Sequence, residues 1–318
     1  MTDKSSQIIT FLQSRDWLLG TFSCKFLAAG EYNENYIVST ADNDYVFRIN
    51  HGTQLGLSNQ IEYEFHVLEA VEDSGVTPTP YHYTQDCNNL GLGVLLMEYI
   101  PGTSLDYHRN LDDAASIFAK IHSLPTDKKL IRQENPPQDI SKESHGLIHR
   151  YPSKYYQDVR TLLLRYYDKI MGLSDGYLKM LLNESLCIVN TEVNSGNFII
   201  NESQAYLVDW EKAVVSYRYQ DLAHFLVPTT TLWKADYRLS PQEREQFLRH
   251  YHAKSNLTLS FDELYEKTSI MEEIILLRAM SWCYMAYHEY TITNRELVHN
   301  DTFDKIVAYL NEAECFLA

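Results

Sequence analysis

The sequence has 318 residues, 45% of them apolar, and a formal net charge of −16, which fits an ordinary folded protein of one large domain or two lobes. Nucleic-acid phosphates and anionic membrane surfaces are poor partners for so acidic a chain, so neither is expected. Cysteines at 24, 87, 187, 283 and 315 form no metal-ligand or C-x-x-C spacing. The start lacks a basic-then-apolar leader and no run approaches the roughly 20 apolar residues of a membrane span, so a cytoplasmic protein with reduced cysteines is expected.

Taken in order, residues 22–27, 36–39 and 45–49 are short β-branched or aromatic segments separated by turn compositions, which predicts an antiparallel meander. Asn59 and Glu62 have the spacing of a helix cap, Ile61, Phe65 and Leu68 share one face, and Ser74-Gly75 ends the helix. Glu64 falls on that same face, so one carboxylate points toward the sheet. An apolar strand over 93–99 then runs into Pro101-Gly102, a natural hinge. The division expected from this is a sheet-plus-helix lobe over 1–100 and a helical lobe over 101–318.

Beyond the hinge, Leu111, Ala114, Ala115 and Phe118 mark a helix that ends at His122, read as a packed structural group. The polar stretch 126–153 holds three of the nine prolines and reads as a long loop. Tyr156, Val159, Leu163, Tyr166 and Ile170 mark the next helix. Ser240-Pro241 with Glu243 and Ser260 with Glu263 are helix starts, and helices are expected over 270–290 and 303–316.

One island of strand character interrupts this helical half, with strands over 186–189, 198–200 and 206–209. A hairpin turning at 201–204 would set Asn197 opposite Asp209, with Glu192 on the loop leading in. Three hard oxygen donors without His or Cys suit Mg²⁺ rather than zinc, and Mg²⁺ held by so few protein oxygens usually takes a nucleotide phosphate as well.

Two segments carry a family resemblance. VNTEVNSGNFII is similar to a catalytic loop written H-G-D-x-x-x-x-N, and LVDWEKA resembles a metal-binding D-W/F-E motif. Together with the meander, the inward Glu64 and the strand ending Met97-Glu98-Tyr99-Ile100, they resemble the aminoglycoside phosphotransferase and choline kinase superfamily over about residues 20–290. The resemblance implies an α+β, protein-kinase-like two-lobe fold, with a small antiparallel-sheet N-lobe and a mostly helical C-lobe. It implies Mg²⁺ and ATP, or GTP, as phosphoryl donor, and transfer to a hydroxyl of a small molecule. By the same resemblance Glu192 stands at the catalytic position and Asn197 and Asp209 at the metal positions. Arg48 would contact phosphate and pair with Glu64, the segment from Gly30 to Asn35, with Asn33 in it, would cover the phosphates, and Glu98 and Ile100 would meet the base through their backbone. Asp221 resembles the aspartate that braces the catalytic loop. Glu272, Glu273, Trp282, Tyr284, Tyr287 and Glu289 suggest a cationic amino-alcohol or aminoglycoside-like acceptor. Asn190 and Glu192 replace the usual His and Asp, so a nucleotide-binding regulatory module without catalysis is the alternative.

Overall fold

In the computed structural model of the chain, residues 3–152, 154–292 and 300–317 are described. Helix α1 (Ser5–Gln13) precedes a five-stranded sheet of β1 (Ser23–Ala29), β2 (Asn33–Ser39), β3 (Asp44–Asn50), β4 (Pro80–Thr84) and β5 (Gly93–Glu98), with α2 (Gln60–Val71) between β3 and β4. The strand order is β1-β2-β3-β5-β4 and every neighbouring pair is antiparallel. The meander expected from sequence is present, with each strand one to three residues longer at one or both ends. Neither α1 nor β4 was expected. β4 opens on Pro80, which an edge strand accommodates because no ladder hydrogen bond is lost.

Period-two alternation gives the sheet two buried faces. Tyr36, Val38, Phe47, Ile49, Val94 and Leu96 pack under Ile8, Phe11 and Leu12 of α1. Val46, Leu95 and Met97 face Ile61, Leu68 and Val71 of α2, and this second face is continuous with the core of the C-terminal helices. Arg48 lies on the second face, two residues after Val46, which aims a guanidinium at Glu64 of α2.

After β5 the chain makes β6 (Thr103–Ser104), α3 (Leu111–His122), α4 (Pro136–His149) and α5 (Gln157–Leu181), then β7 (Cys187–Val189), β8 (Phe198–Ile200), β9 (Ala205–Leu207) and β10 (Val214–Ser216). It ends in α6 (Tyr219–Leu226), α7 (Pro228–Lys234), α8 (Pro241–Lys254), α9 (Phe261–Ile292), α10 (Asn300–Asn311) and α11 (Ala313–Phe316). No described helix is long and apolar enough to cross a membrane. Small strands pair as β6-β8-β9 and β10-β7. Gly102 enters β6 where a Cβ would fall 2.6 Å from both Ile199 Cγ2 and the Ile200 carbonyl, so only glycine lets the segment after β5 lie against β8.

The loop expected over 126–153 is instead largely helix α4. Its two prolines occupy the first helical positions, where no amide hydrogen is needed, and the Asn135 side chain accepts from the Gln138 N–H. The buried stripe Pro137, Ile140, Ser141, Ser144 and Ile148 packs between α5 and α9. The cap at Ser260 and the expected helix over 270–290 belong to one continuous helix, α9.

Candidate active site

The loop between β7 and β8 is held from below by one buried carboxylate. Asp221 of α6 accepts from the Asn190 and Thr191 N–H groups, both at 2.8 Å, as the resemblance implied. His122 sits behind it, between Asp221 (3.3 Å) and the Tyr251 hydroxyl (2.9 Å). Burial holds the His122 pKa below its ordinary value, in keeping with a structural role. Thr191 takes a left-handed conformation, φ 66°, and its hydroxyl donates to the Lys212 carbonyl at 3.0 Å. Asn190 bonds the loop on two sides: its amide nitrogen donates to the Asp209 carbonyl (2.8 Å) and its amide oxygen accepts from the Glu192 N–H (3.0 Å).

The β8–β9 hairpin pairs Phe198 with Leu207 and Ile200 with Ala205, one residue tighter than expected. Asn197 therefore lies opposite Val208, whose N–H donates to the Asn197 carbonyl at 2.8 Å. Asp209 follows at φ 65°, and this reversal turns it and the next residues toward the loop. The result is a group of three carboxylates, Glu192, Asp209 and Glu211, with ligand oxygens within 4.8 Å of one another. Asn197 donates its amide nitrogen to the Glu192 carbonyl at 2.6 Å, which leaves its amide oxygen as the remaining acceptor.

Glu211 was absent from the expected site residues although it closes the D-W-E motif. It is buried and accepts from Asn33 Nδ2 and from Gln54 Nε2 (3.2 Å). Burial, and next the neighbouring charge of Asp209, push its pKa up to about 8. Glu64 is pushed up to about 7, first by burial, while Arg48 opposes the shift. Arg48 is itself buried and bonds Glu64, Asp209 Oδ1 (3.0 Å) and Asn35 Oδ1 (3.0 Å). Arg48 and, at Glu192, Lys212 are the two cations among four carboxylates, so like charges crowd the site and a divalent cation held by hard oxygens would relieve them.

Lys212, the residue after Glu211, donates to Glu192 Oε1 at 3.1 Å. Glu192 and Lys212 line a cavity of about 450 Å³ together with Gly30 from the β1–β2 turn and Trp282 of α9, a size that fits a small-molecule ligand. Glu98 and Ile100 lie elsewhere. Glu98 pairs with Tyr45, three residues along from the Arg48–Leu95 pair and so about 10 Å away, and its N–H donates to the Thr79 carbonyl at 2.8 Å. Among the acids thought to face an acceptor, Glu272 is bound by Arg244 (2.6 Å) and Glu273 by Lys169 (2.9 Å), and neither lines the cavity. Tyr284 is buried core and Tyr287 stacks on Phe303. The cavity walls carry instead Arg278, Lys234, His224, Glu143 and Trp233, none of which the sequence singled out.

The profile of the phosphotransferase enzyme family matches residues 23–264, a span that includes the sheet, the braced loop and the carboxylate group. The chain belongs to that family. It is a phosphotransferase with the protein-kinase-like fold, and solved structures align over nearly its whole length. A choline kinase from Streptococcus pneumoniae is 21% identical, with 98% of this chain and 100% of that one covered at a TM-score of 0.61. A Plasmodium vivax ethanolamine kinase is 13% identical, covering 98% and 87% at 0.69. A spectinomycin phosphotransferase in complex with ADP and spectinomycin is 14% identical, covering 98% and 95% at 0.60. Comparison with curated protein sequences finds no significant match.

Proposed function

We propose that this phosphotransferase moves the γ-phosphoryl group of ATP, or GTP, to a hydroxyl of a small molecule, with Glu192 as the base. The reading rests on one observation above others: Glu192 stands both in the carboxylate group and in the wall of the cavity. The acceptor oxygen attacks the γ-phosphorus, its proton passes to the Glu192 carboxylate, the bond to the β–γ bridging oxygen breaks, and a nucleoside diphosphate leaves. Asp209, Glu211 and the Asn197 amide oxygen would hold Mg²⁺, which supplies charge neutralisation at the phosphates when bound. Arg48 supplies a fixed cation from the sheet, and Glu64 orients it. The Gly30 turn lies over the same space, and Asn33 steadies Glu211. Glu98 and Ile100 would border the base at the hinge end of β5, and Pro101-Gly102 would mark the division between the lobes.

The names of the related kinases, choline, ethanolamine and spectinomycin among them, support an acceptor that carries an amine. Trp233 and Trp282, with ring centroids 5.8 Å apart, and the Glu143 carboxylate offer a π face and a counter-charge for it. The test is ADP release by the purified protein with Mg²⁺ and ATP over a panel of small hydroxyl compounds, with and without amines. Acceptor-dependent ADP release is expected. Its absence throughout, with nucleotide binding intact, would favour the non-catalytic reading.

A further inference from the structure

We infer that the acceptor also carries a carboxylate, seated on Arg278 in the cavity that Glu192 lines, so that the substrate is a hydroxy acid or hydroxy amino acid. The inference deepens the kinase reading and rests on it. Arg278 projects from α9 with only 17% of its side chain exposed. Its one ionic contact among the described residues is to Glu143, long at 3.4 Å and half exposed on the Glu143 side. A guanidinium has five N–H donors in a planar fork, and among the described residues none of Arg278's makes an aligned hydrogen bond to oxygen. A half-buried fork left open toward a cavity is the group that receives a planar oxyanion in two parallel bonds.

The rest of that wall points the same way. Lys234, at the end of α7, lines the cavity and makes no ion pair among the described residues. His224 of α6 lines it too; its ring bonds the Thr191 backbone and adds no charge of its own to the wall. Burial and then the charges of Arg278 and Lys212 hold its pKa down, so two cations act on one ring from within the same space. Glu31, Glu143 and Glu192 line the same space, so carboxylates and cations there are equal in number among the described residues and the inference rests on the open Arg278 fork. An acceptor with an amine alone would leave that fork without a bidentate partner. A zwitterion would exchange the long Arg278–Glu143 pair for two closer ones, carboxylate on Arg278 and amine on Glu143.

The experiment measures kcat/KM, with Mg²⁺ and ATP, for a panel of small hydroxy acids and hydroxy amino acids, each against its own carboxamide. The acids are expected to exceed their carboxamides by about 10- to 100-fold, the scale of a charge-assisted hydrogen bond. Arg278→Gln should erase that ratio mainly through KM, whereas Arg278→Lys should keep part of it as a point charge. Equal turnover of both members of each pair, or an Arg278→Gln variant that lowers both alike, would overturn the inference and leave the kinase reading standing. No ADP formation in any arm would overturn the kinase reading and this inference with it.

Discussion

Glu192 is one methylene longer than the aspartate usual at its position, and Lys212 holds the end of it at 3.1 Å. The pair fixes where the carboxylate oxygens lie, and a misplacement of about 1 Å can cost on the order of a hundredfold in rate. Lys212→Met should therefore lower kcat by roughly 10- to 100-fold, since the unheld carboxylate loses that alignment, with nucleotide KM little changed in steady-state assays. Wild-type kcat in that variant would reduce the pair to packing. His224 sets a second test, through stability. Burial first, and then Arg278 and Lys212, lower its pKa to about 3 in the folded chain, against an ordinary value near 6.5 when unfolded. Below about pH 6.5 the unfolded chain binds a proton that the folded one refuses, so stability falls as pH falls, by up to about 1.4 kcal/mol per unit from this one group. Urea denaturation between pH 7 and pH 4 should show a shallower slope for His224→Gln than for the parent; an unchanged slope would assign the dependence to other groups.

At the scale of elements, α4 shows where sequence reading failed and why. Its buried stripe is built of Pro137, Ser141 and Ser144 beside two isoleucines, so the helix lacks the apolar periodicity that marks one, and its prolines act as starters rather than breakers. Small side chains there let α4 approach α9 closely. Ser144, whose hydroxyl turns back to the Ile140 carbonyl at 2.8 Å, has no room for more, and Ser144→Leu should cost about 1–3 kcal/mol in chemical denaturation. An unaffected midpoint would show that the interface can open. β1, β2, β3 and β5, α2 with its Asn59 cap and inward Glu64, and the hairpin carrying Asn197 were legible because each depends on local spacing or turn chemistry. Glu211 and Lys212 were missed as site residues because only the left-handed Asp209 bends the chain so that its successors meet Glu192, and nothing in composition announces that φ. Arg278, Lys234 and His224 were missed for a different reason. They meet only through the packing of three helices, while the nearby acids Glu272 and Glu273, closer to expectation by charge, are consumed by Arg244 and Lys169.

Across the whole molecule, α2 belongs as much to the C-terminal part as to the sheet. Gln60 donates to the Glu211 carbonyl and the Tyr63 hydroxyl to the Ala213 carbonyl, each at 2.7 Å, and the Leu207 N–H reaches the Val76 carbonyl at 2.9 Å. Arg48 completes these ties by joining Glu64 to Asp209. Removing it leaves Glu64 buried without a counter-charge, so Arg48→Met should lower stability by about 3 kcal/mol at neutral pH, read from the denaturation midpoint, and weaken nucleotide binding. A variant as stable as the parent would contradict the view that this arginine neutralises the junction. All of these contacts converge on a braced loop that presents Glu192 both to the carboxylates of Asp209 and Glu211 and to the cavity. The most direct test compares Glu192→Gln with the parent for Mg²⁺-nucleotide affinity and for phosphoryl transfer to the best acceptor. If Glu192 is the base, kcat falls by about 10²- to 10⁴-fold while nucleotide affinity holds; turnover undiminished in Glu192→Gln would contradict the account.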